Sequence, residues 1–298
     1  MLTEGSLLAS TTIPDSAYSN LEDYERNEQR LIGKGSFGRV FLMKHKITNN
    51  PIAVKVLNKS NYFSKSGKAF KLLKQEIEIH KLLVHPNIIR LYNHTEDLRS
   101  IYLVMEYADK GTLAKYLKSK GQLDEKKAFN IFRQLCDAVH FLHKYNLVHR
   151  DIKPENILLT TKEEVKLSDF GCCTCLGGTE KKLCGTPEYI APEAIQTKEY
   201  NEKADIWSLG VILYEMLYGK VPFTGNSIED IFKSIMTDGL ALNSSISDEA
   251  RDLLQKLLNK DPTNRPMIKK VMEHDWIKVM CKDGPSLLDR IISFFGSD

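Results

Sequence analysis

A short stretch, VHRDIKPENILL at residues 148–159, brings a carboxylate, an ammonium and an amide close together. Lys153 follows Asp151 by two residues, and Asn156 ends the group. A carboxylate can accept a proton, an ammonium can offset negative charge, and carboxylate and amide oxygens are ligands that Mg²⁺ prefers. Pro154 lies between them and disfavours a helix, which predicts a loop that turns Asp151 and Asn156 to the same side.

A glycine-rich stretch, LIGKGSFGRVF, has the pattern G-x-G-x-x-G in Gly33, Gly35 and Gly38. Glycines let backbone amides approach phosphate oxygens without an intervening side chain. The same spacing also opens dinucleotide-binding folds, but there it leads into a helix. Here it leads into RVFLMKH, a strand candidate, and IAVKVL follows as a second strand. The pattern therefore predicts a phosphate-binding hairpin.

Lys55 lies among the apolar residues of IAVKVL, where an ammonium is costly without a partner. Glu76, on the helix predicted from KAFKLLKQEIEIHKLLVH, is the candidate partner, and it would hold Lys55 toward nucleotide phosphates. Taken alone, without the other motifs, such a pair is better interpreted as a solvated surface bridge that contributes little.

The chain has two parts that differ in their hydrophobic spacing. Short β-branched runs with Gly- and Asn-rich turns from Leu31 to Leu57 predict antiparallel hairpins, and SIYLVMEYA predicts a further strand. After residues 107–111 the spacing is mostly helical, and residues 203–219 are so apolar that we expect that helix to run through the core. The pattern predicts an α+β fold with a strand-rich lobe, a helix-rich lobe and a cleft.

Bulk composition excludes several classes of protein. The chain has 298 residues, 42% hydrophobic and 27% charged, and its net charge of +3 with no dense basic run does not indicate a nucleic-acid binder. No apolar stretch approaches membrane-spanning length, and the N-terminus lacks the pattern of a signal peptide. We therefore expect a soluble protein of the cytoplasm or nucleus.

Four of the six cysteines, Cys172, Cys173, Cys175 and Cys184, crowd into one stretch. This is a poor layout for a disulfide framework, so we expect mostly reduced thiols. The cluster has no His or Cys pair at metal-ligand spacing, which favours small packing side chains over a metal site. A regulatory thiol at Cys184 stays open.

The motifs HRDIKPEN, SDFG, APE and DIWSLG follow the glycine loop and Lys55 in one order. In this set the sequence resembles the eukaryotic Ser/Thr protein kinase family, from about Tyr24 to about Trp276. The resemblance implies the bilobal kinase fold, with an N-lobe at about 24–106, a hinge at about 107–111 and a C-lobe at about 112–276. Residues 1–23 are then expected to be a flexible tail and 277–298 a C-terminal extension.

The resemblance also implies the site. Asp151 would accept the proton of a substrate hydroxyl, Lys153 would offset charge on the transferred phosphoryl group, and Asn156 and Asp169 would hold Mg²⁺. Lys55, paired with Glu76, would contact the ATP phosphates. The ATP-binding residues implied by the resemblance are Ile32, Gly33, Lys34, Gly35, Ser36, Phe37, Gly38, Arg39, Val40, Ala53, Lys55, Met105, Glu106, Ala108 and Leu158.

Within the family, Lys153 and Thr186 of CGTPEY match the Ser/Thr-specific branch. Stretches such as KQEIEIHKLLVHPNIIRLY and DEARDLLQKLL are similar to Aurora kinases, with polo-like kinases next, which implies a role in cell division. The implied partners are proteins with Ser/Thr acceptors, and GTPEYIAPE resembles a peptide platform rather than a small-molecule site. Glu155 predicts a preference for basic residues upstream of the acceptor. We expect this preference to be mild, because Thr112 stands where strongly basophilic relatives often carry Glu.

Lys182 stands where related kinases usually carry a phosphorylatable Thr, whose phosphate would pair with Arg150. Three readings stay open: Thr179 is phosphorylated instead, an activating partner protein orders the loop, or the loop is competent unmodified.

Further predictions concern packing and a competing class of protein. The resemblance implies a Glu193–Arg265 pair and packing roles for His149 and Phe170. The apolar C-terminal stretch SLLDRIISFFGSD is expected to pack on the larger lobe or to dock a partner. The rival reading is a pseudokinase scaffold or nucleotide-binding module. It would be marked by loss of a key residue, but Lys55, Asp151, Asn156 and Asp169 are all present.

Overall fold

The computed structural model describes residues 30–35, 38–62, 68–177, 183–197 and 201–282. Within these ranges the chain divides into two compact units, one comprising the described residues up to Val84 and Arg90–Tyr107, the other His85–Ile89 and the described residues from Ala108 onward. The first unit is an antiparallel sheet with a helix, and the second is mostly helical, which confirms the predicted α+β fold class. The predicted tail at 1–23 and the stretch SLLDRIISFFGSD lie outside the described residues.

The first unit has five strands in the spatial order β1-β2-β3-β5-β4, and every neighbouring pair is antiparallel. The strands are β1 (Arg30–Gly35), β2 (Gly38–Lys44), β3 (Pro51–Asn58), β4 (Leu91–Glu96) and β5 (Ser100–Glu106). Helix α1 spans Lys68–Leu82, within the stretch whose spacing predicted a helix.

The two faces of this sheet follow from the alternation of side chains along β3. One face buries Ile52 and Val54 in a cluster with Met43 and Val104. The opposite face buries Leu57 with residues of β5 and with Leu73 and Ile77 of α1. Odd-numbered residues of β3 therefore face the helix, and Lys55 is one of them.

The second unit is built from helices and short strands. The helices are α2 (Leu113–Lys120), α3 (Glu125–Lys144), α4 (Pro192–Thr197), α5 (Glu202–Tyr218), α6 (Ile228–Thr237), α7 (Asp248–Leu257), α8 (Ile268–Met272) and α9 (Asp275–Lys282). The strands are β6 (Gly111–Thr112), β7 (Leu147–Val148), β8 (Ile157–Leu159), β9 (Val165–Leu167) and β10 (Thr174–Cys175). They form a three-stranded sheet, β6-β8-β9, and a two-stranded sheet, β10-β7.

Helix α5 is the core helix that its composition predicted, because nearly all of its residues are buried. It begins after Asn201, whose side chain accepts a hydrogen bond from the Lys203 amide, and it ends at Gly219 in a left-handed conformation (φ 70°). The predicted Glu193–Arg265 pair is also confirmed. The guanidinium of Arg265 is fully buried and donates to both oxygens of Glu193 at 2.7 and 2.6 Å.

Pro154 acts differently from our expectation. It stands at the first position of a short 3₁₀ helix, Pro154–Asn156, instead of preventing helical backbone. The reason is that the first turn of a helix leaves its amides unbonded, so a proline there removes no hydrogen bond and its fixed φ suits the turn.

The cysteines also differ from our expectation. Cys172 and Cys184 are joined by a disulfide with their Cα atoms 6.2 Å apart, so the prediction of reduced thiols is wrong for this pair. The two cysteines are 12 positions apart in the sequence, and only the path of the folded chain brings them together. Cys136 is buried, which raises the pKa of its thiol, while Cys175 and Cys281 are exposed.

None of the helices in the described ranges is long and apolar enough to cross a membrane.

Candidate active site

The centre of the candidate site is the loop between β7 and β8 in the second unit. The side-chain nitrogen of Asn156, Nδ2, donates to the backbone carbonyl oxygen of Asp151 at 2.9 Å and to Asp151 Oδ2 at 3.0 Å. Lys153 Nζ lies 2.9 Å from the same Oδ2. The three side chains singled out from the sequence are therefore brought together.

Only one of the two carboxylate oxygens of Asp151 is engaged by the described side chains. Its Oδ2 is engaged by Asn156 and Lys153, whereas its buried Oδ1 accepts no hydrogen bond from any residue that the structure describes. A buried carboxylate oxygen without a donor is costly in a folded protein, and functional sites are where such groups persist. Its chemistry is that of an acceptor for a proton brought by a second molecule.

Asp205 of α5 sets the backbone that carries Asp151. Its carboxylate accepts hydrogen bonds from the amides of His149, at 3.0 Å, and Arg150, at 2.9 Å. Arg150 is thereby held in a left-handed conformation with φ 67°, which is uncommon for a non-glycine residue. His143 Nε2 lies 2.9 Å from the same carboxylate. Burial favours a raised pKa for Asp205, but these hydrogen bonds and nearby histidines outweigh it and lower the pKa.

His149 is buried against the ring of Phe170, with the ring centroids 5.1 Å apart, so both residues pack as expected. Its Nδ1 accepts from the Asp151 amide at 3.3 Å, and its Nε2 lies 3.2 Å from the Ser168 carbonyl oxygen, to which it donates. This pattern requires the neutral ring protonated on Nε2. Burial lowers the pKa of His149, which favours that neutral form.

The two residues expected to hold metal are linked through Ser168. The amide and the hydroxyl of Ser168 both donate to the Asn156 carbonyl oxygen, at 2.8 and 2.9 Å, which places the following residue, Asp169, beside the loop. Asp169 has φ 63°, a second left-handed non-glycine residue at this site. Both amide hydrogens of Asn156 point at Asp151, so its oxygen is left as a ligand. One carboxylate and one amide fit Mg²⁺, which usually takes few protein ligands and completes its shell with phosphates and water.

Thr186 of the CGTPEY stretch contacts this centre. Lys153 Nζ donates to Thr186 Oγ1 at 2.7 Å, so one lysine binds both Asp151 and the segment that resembles a peptide platform. Further along, Tyr189 donates to Glu215 at 2.6 Å. Burial raises the pKa of Glu215, and the negative charges of Glu155 and Glu188 raise it further.

In the first unit, the glycine pattern forms the hairpin of β1 and β2, in which Gly35 pairs with Gly38 and Lys34 with Arg39. Gly38 is the glycine whose space is limited, because a Cβ there would lie 2.4 Å from the Val56 carbonyl oxygen. A Cβ on Gly33 would meet only the Val40 side chain at 3.6 Å. Ser36 and Phe37 lie outside the described residues.

The strand register shows where several other predicted ATP-binding residues of this unit lie on the sheet. Ala53 and Lys55 lie on the α1-facing side of β3, with Met105 opposite Ala53 and Val40 opposite Lys55. Glu76 lies on α1 near Ile77, which packs on this face. The register thus puts Lys55 and Glu76 on the same side of the sheet.

Three further predicted residues lie around the end of β5 or in the second unit. Glu106 ends β5 and is fixed by Arg90, whose amide donates to its carboxylate at 3.1 Å. Ala108 is buried, and Leu158 is half-buried in the middle of β8. Ile32 is half-buried in β1, next to a register shift.

Sequence reasoning missed Asp205, which binds two backbone amides of the loop, and His143, which contacts Asp205. The DIWSLG motif contains Asp205, so its inclusion in the motif set was a signal without an assigned role. Thr179 and Lys182, on which the three readings of loop activation depend, lie outside the described residues.

Comparison with known proteins agrees with this geometry. Residues 26–277 match the model of the protein kinase domain, and the chain belongs to this family. Members of the family use ATP and usually Mg²⁺.

Several relatives show which kind of protein kinase the chain is similar to. The chain is 40% identical over 275 residues to an Aurora kinase of Candida glabrata, covering 91% of this chain and 76% of the relative. It is 41% identical over 250 residues to Aurora kinase B-A of Xenopus laevis, covering 84% and 69%. It is also 41% identical over 256 residues to the serine/threonine protein kinase OSK3 of Oryza sativa subsp. indica, covering 85% and 50%. The protein is therefore an ATP-dependent protein serine/threonine kinase with an Aurora-like sequence.

Proposed function

We propose that Asp151 is the group that accepts the proton of the substrate Ser or Thr hydroxyl during phosphoryl transfer. The observation that carries this assignment is its free Oδ1 beside an Oδ2 held by Asn156 and Lys153. Such an arrangement fixes the direction of the carboxylate while leaving one oxygen for the incoming alcohol. Lys153 offsets charge on the transferred group, and its bond to Thr186 keeps the acceptor segment nearby.

We also propose that Asn156 and Asp169 hold Mg²⁺, while Lys55, oriented by Glu76, and the β1–β2 hairpin hold the phosphates of ATP. Bound Mg²⁺ supplies electrostatic stabilisation of the phosphates. The support within this chain is the amide of Asn156, turned by two hydrogen bonds to Asp151, and the backbone at Asp169. The adenine ring would be bound by Ile32, Val40, Ala53, Met105, Glu106, Ala108 and Leu158.

The deciding test replaces Asp151 with Asn and measures phosphate incorporation into a generic basic protein. We expect kcat to fall by about 10²–10⁴-fold, because an amide cannot accept the hydroxyl proton. Binding of a fluorescent ATP analogue should stay unchanged. Asp137→Asn, at a partly exposed carboxylate on α3, is the matched control and should keep full activity. Equal activity of Asp151→Asn and the control would disprove the role. Absence of incorporation by the wild-type chain with Mg²⁺ would favour the pseudokinase reading.

We propose a mild preference for Arg or Lys upstream of the acceptor residue. The support is negative charge near the platform, since Glu155 and Glu188 both act on the half-buried carboxyl of Glu215. A positional peptide library should show modest enrichment of basic residues upstream, and Glu155→Gln should reduce it. A library profile without that enrichment would contradict the proposal. The hydroxyl of Thr112 caps α2 by accepting from the Lys115 amide at 3.2 Å, and it carries no negative charge that would strengthen this preference.

The Aurora-like sequence supports a proposed role in cell division and a protein partner that orders the segment around Thr179. A kinase that consumes ATP depends on the nucleotide pool of the cell interior, so we propose the cytoplasm or nucleus as its location. Replacing Thr179 with Ala tests the phosphorylation reading, and unchanged activity would leave the partner or the unmodified loop.

A further inference from the structure

The disulfide between Cys172 and Cys184 joins two parts of the chain that both contact the catalytic loop. Cys172 follows Asp169, Phe170 and Gly171 directly, and its carbonyl oxygen accepts a hydrogen bond from Arg150 Nε. Cys184 precedes Gly185 and Thr186, and Thr186 is bound by Lys153. The bond therefore links the proposed metal-binding end of this segment to its substrate-facing end.

The end that carries Cys172 is anchored by backbone. Strand β10 begins two residues after Cys172, and it pairs with β7 through Thr174 opposite Val148 and Cys175 opposite Leu147. Because β7 leads directly into the catalytic loop, Cys172 has a fixed position relative to that loop.

The end that carries Cys184 passes close to the same loop. Gly185 has φ 112°, and a Cβ on it would lie 2.9 Å from the Arg150 carbonyl oxygen. The hydrogen bond from the flexible side chain of Lys153 to Thr186 joins this end to the loop as well, and Tyr189 ties its far side to Glu215 of α5. A covalent link at Cys184 adds a restraint that, unlike a side-chain hydrogen bond, does not open by rotation of a flexible side chain.

We propose that Cys172 and Cys184 form a reversible thiol–disulfide site, and that its oxidised form holds residues 183–190 in the arrangement that catalysis needs. The effect on activity rests on the proposed roles of Asp151 and Lys153. Lys182 supports a covalent tie, because a lysine at that position cannot carry the phosphate that would otherwise pair with Arg150.

The chemistry balances with a peroxide as oxidant. The thiolate of one cysteine attacks a peroxide oxygen, which breaks the O–O bond and gives a sulfenic acid and water. The second thiol then displaces the sulfenic oxygen as a second water while the S–S bond forms. Two sulfurs are oxidised and the peroxide is reduced. A small dithiol reverses the step, becoming a cyclic disulfide and returning two protons and two electrons to the cysteines. Both cysteines are half-buried, and the one that reacts first does so as its thiolate.

The first experiment maps the bond on the full chain. The purified kinase is treated with hydrogen peroxide or with dithiothreitol, digested without reduction and analysed by mass spectrometry. We expect a cross-linked peptide pair after peroxide, lost in Cys172→Ser and Cys184→Ser and kept in Cys173→Ser and Cys175→Ser. A cross-link that survives in Cys172→Ser would overturn the assignment, as would modification of Cys184 without any cross-link.

The second experiment measures the consequence. Reduction of the oxidised wild-type chain should lower kcat/KM for a peptide substrate about tenfold, within the usual range of coupling between sites, and renewed peroxide should restore it. Cys173→Ser should behave like the wild type, whereas Cys172→Ser and Cys184→Ser should not respond to either reagent. Hydrogen exchange at the amides of residues 183–190 should be slower in the oxidised form, a readout that does not depend on the catalytic roles. Equal exchange and equal activity in both forms would overturn the proposal. Slower exchange together with full activity of Asp151→Asn would overturn the proposed function and leave the thiol site standing.

Discussion

His149 joins the hydrogen bonds of the catalytic loop to the buried core. Its ring must be neutral, since Nδ1 accepts from the Asp151 amide while Nε2 donates to Ser168. A proton on Nδ1 would face that amide donor and remove the contact. Protonation of one buried ring therefore opposes both stability and the geometry of Asp151.

We expect the free energy of unfolding to fall as the pH drops below about 6.5, the ordinary pKa of histidine. Burial lowers the pKa of His149 in the folded state, so in this window the unfolded chain binds a proton that the native chain does not. Each such proton contributes a slope of up to about 1.4 kcal/mol per pH unit.

The measurement is urea unfolding from pH 5 to 8 for the wild type and His149→Phe. His85 and His94 also have pKa values lowered by burial, and both chains keep them, so the difference between the slopes reports His149. Parallel curves for the two chains would contradict the assignment.

At the scale of elements, the hairpin of β1 and β2 depends on the approach of β3. Gly38 pairs with Gly35 in the hairpin and lies against the Val56 carbonyl oxygen, a backbone atom that cannot turn away. The pattern G-x-G-x-x-G thus has a packing requirement at its last position, besides the phosphate contact proposed for it.

Gly38→Ala should lower the free energy of unfolding by about 1–3 kcal/mol, the usual effect of overpacking. Gly33→Ala, on the paired strand, is the matched control, because its Cβ would make an ordinary contact at 3.6 Å. Urea unfolding of both variants measures the difference. A loss for Gly33→Ala as large as for Gly38→Ala would show that the close approach to Val56 is not the cause.

Local pattern predicted the elements and the motifs well, and distant contacts less well. The β-branched run IAVKVL predicted a strand that carries Lys55, and the composition of residues 203–219 predicted the core helix, because both signals are contained in a few neighbouring residues. The hydrogen bonds of Asp205 to the loop, the disulfide of Cys172 and the approach of Gly38 to Val56 depend on chain paths that no local spacing encodes.

At the scale of the whole molecule, a buried ion pair holds several helices of the second unit together. Arg265 donates to Glu193, to the Lys203 carbonyl oxygen at 2.9 Å and to the Asn259 carbonyl oxygen at 2.8 Å, so it joins α4, α5 and the chain after α7. Each of these acceptors loses its hydrogen bond from Arg265 if the guanidinium is removed.

Arg265→Met should lower the free energy of unfolding by about 3–5 kcal/mol, because it leaves a largely buried carboxylate without its partner. Lys270→Met, which breaks an exposed pair with Glu273, is the control and should have no measurable effect. Thermal and urea unfolding check both. If the ion pair itself is the cause, the double variant Arg265→Met/Glu193→Met should be more stable than Arg265→Met alone, and further destabilisation would contradict this explanation.

Asp205 lies 55 residues after Arg150, the residue whose amide it binds. During translation the HRD stretch leaves the ribosome well before α5 can fold beneath it, so the left-handed turn at Arg150 has no support in the nascent chain. A growing polypeptide that ends before Asp205 therefore carries all the reactive side chains of the loop without their geometry. We therefore expect phosphoryl transfer only from chains whose synthesis has passed α5.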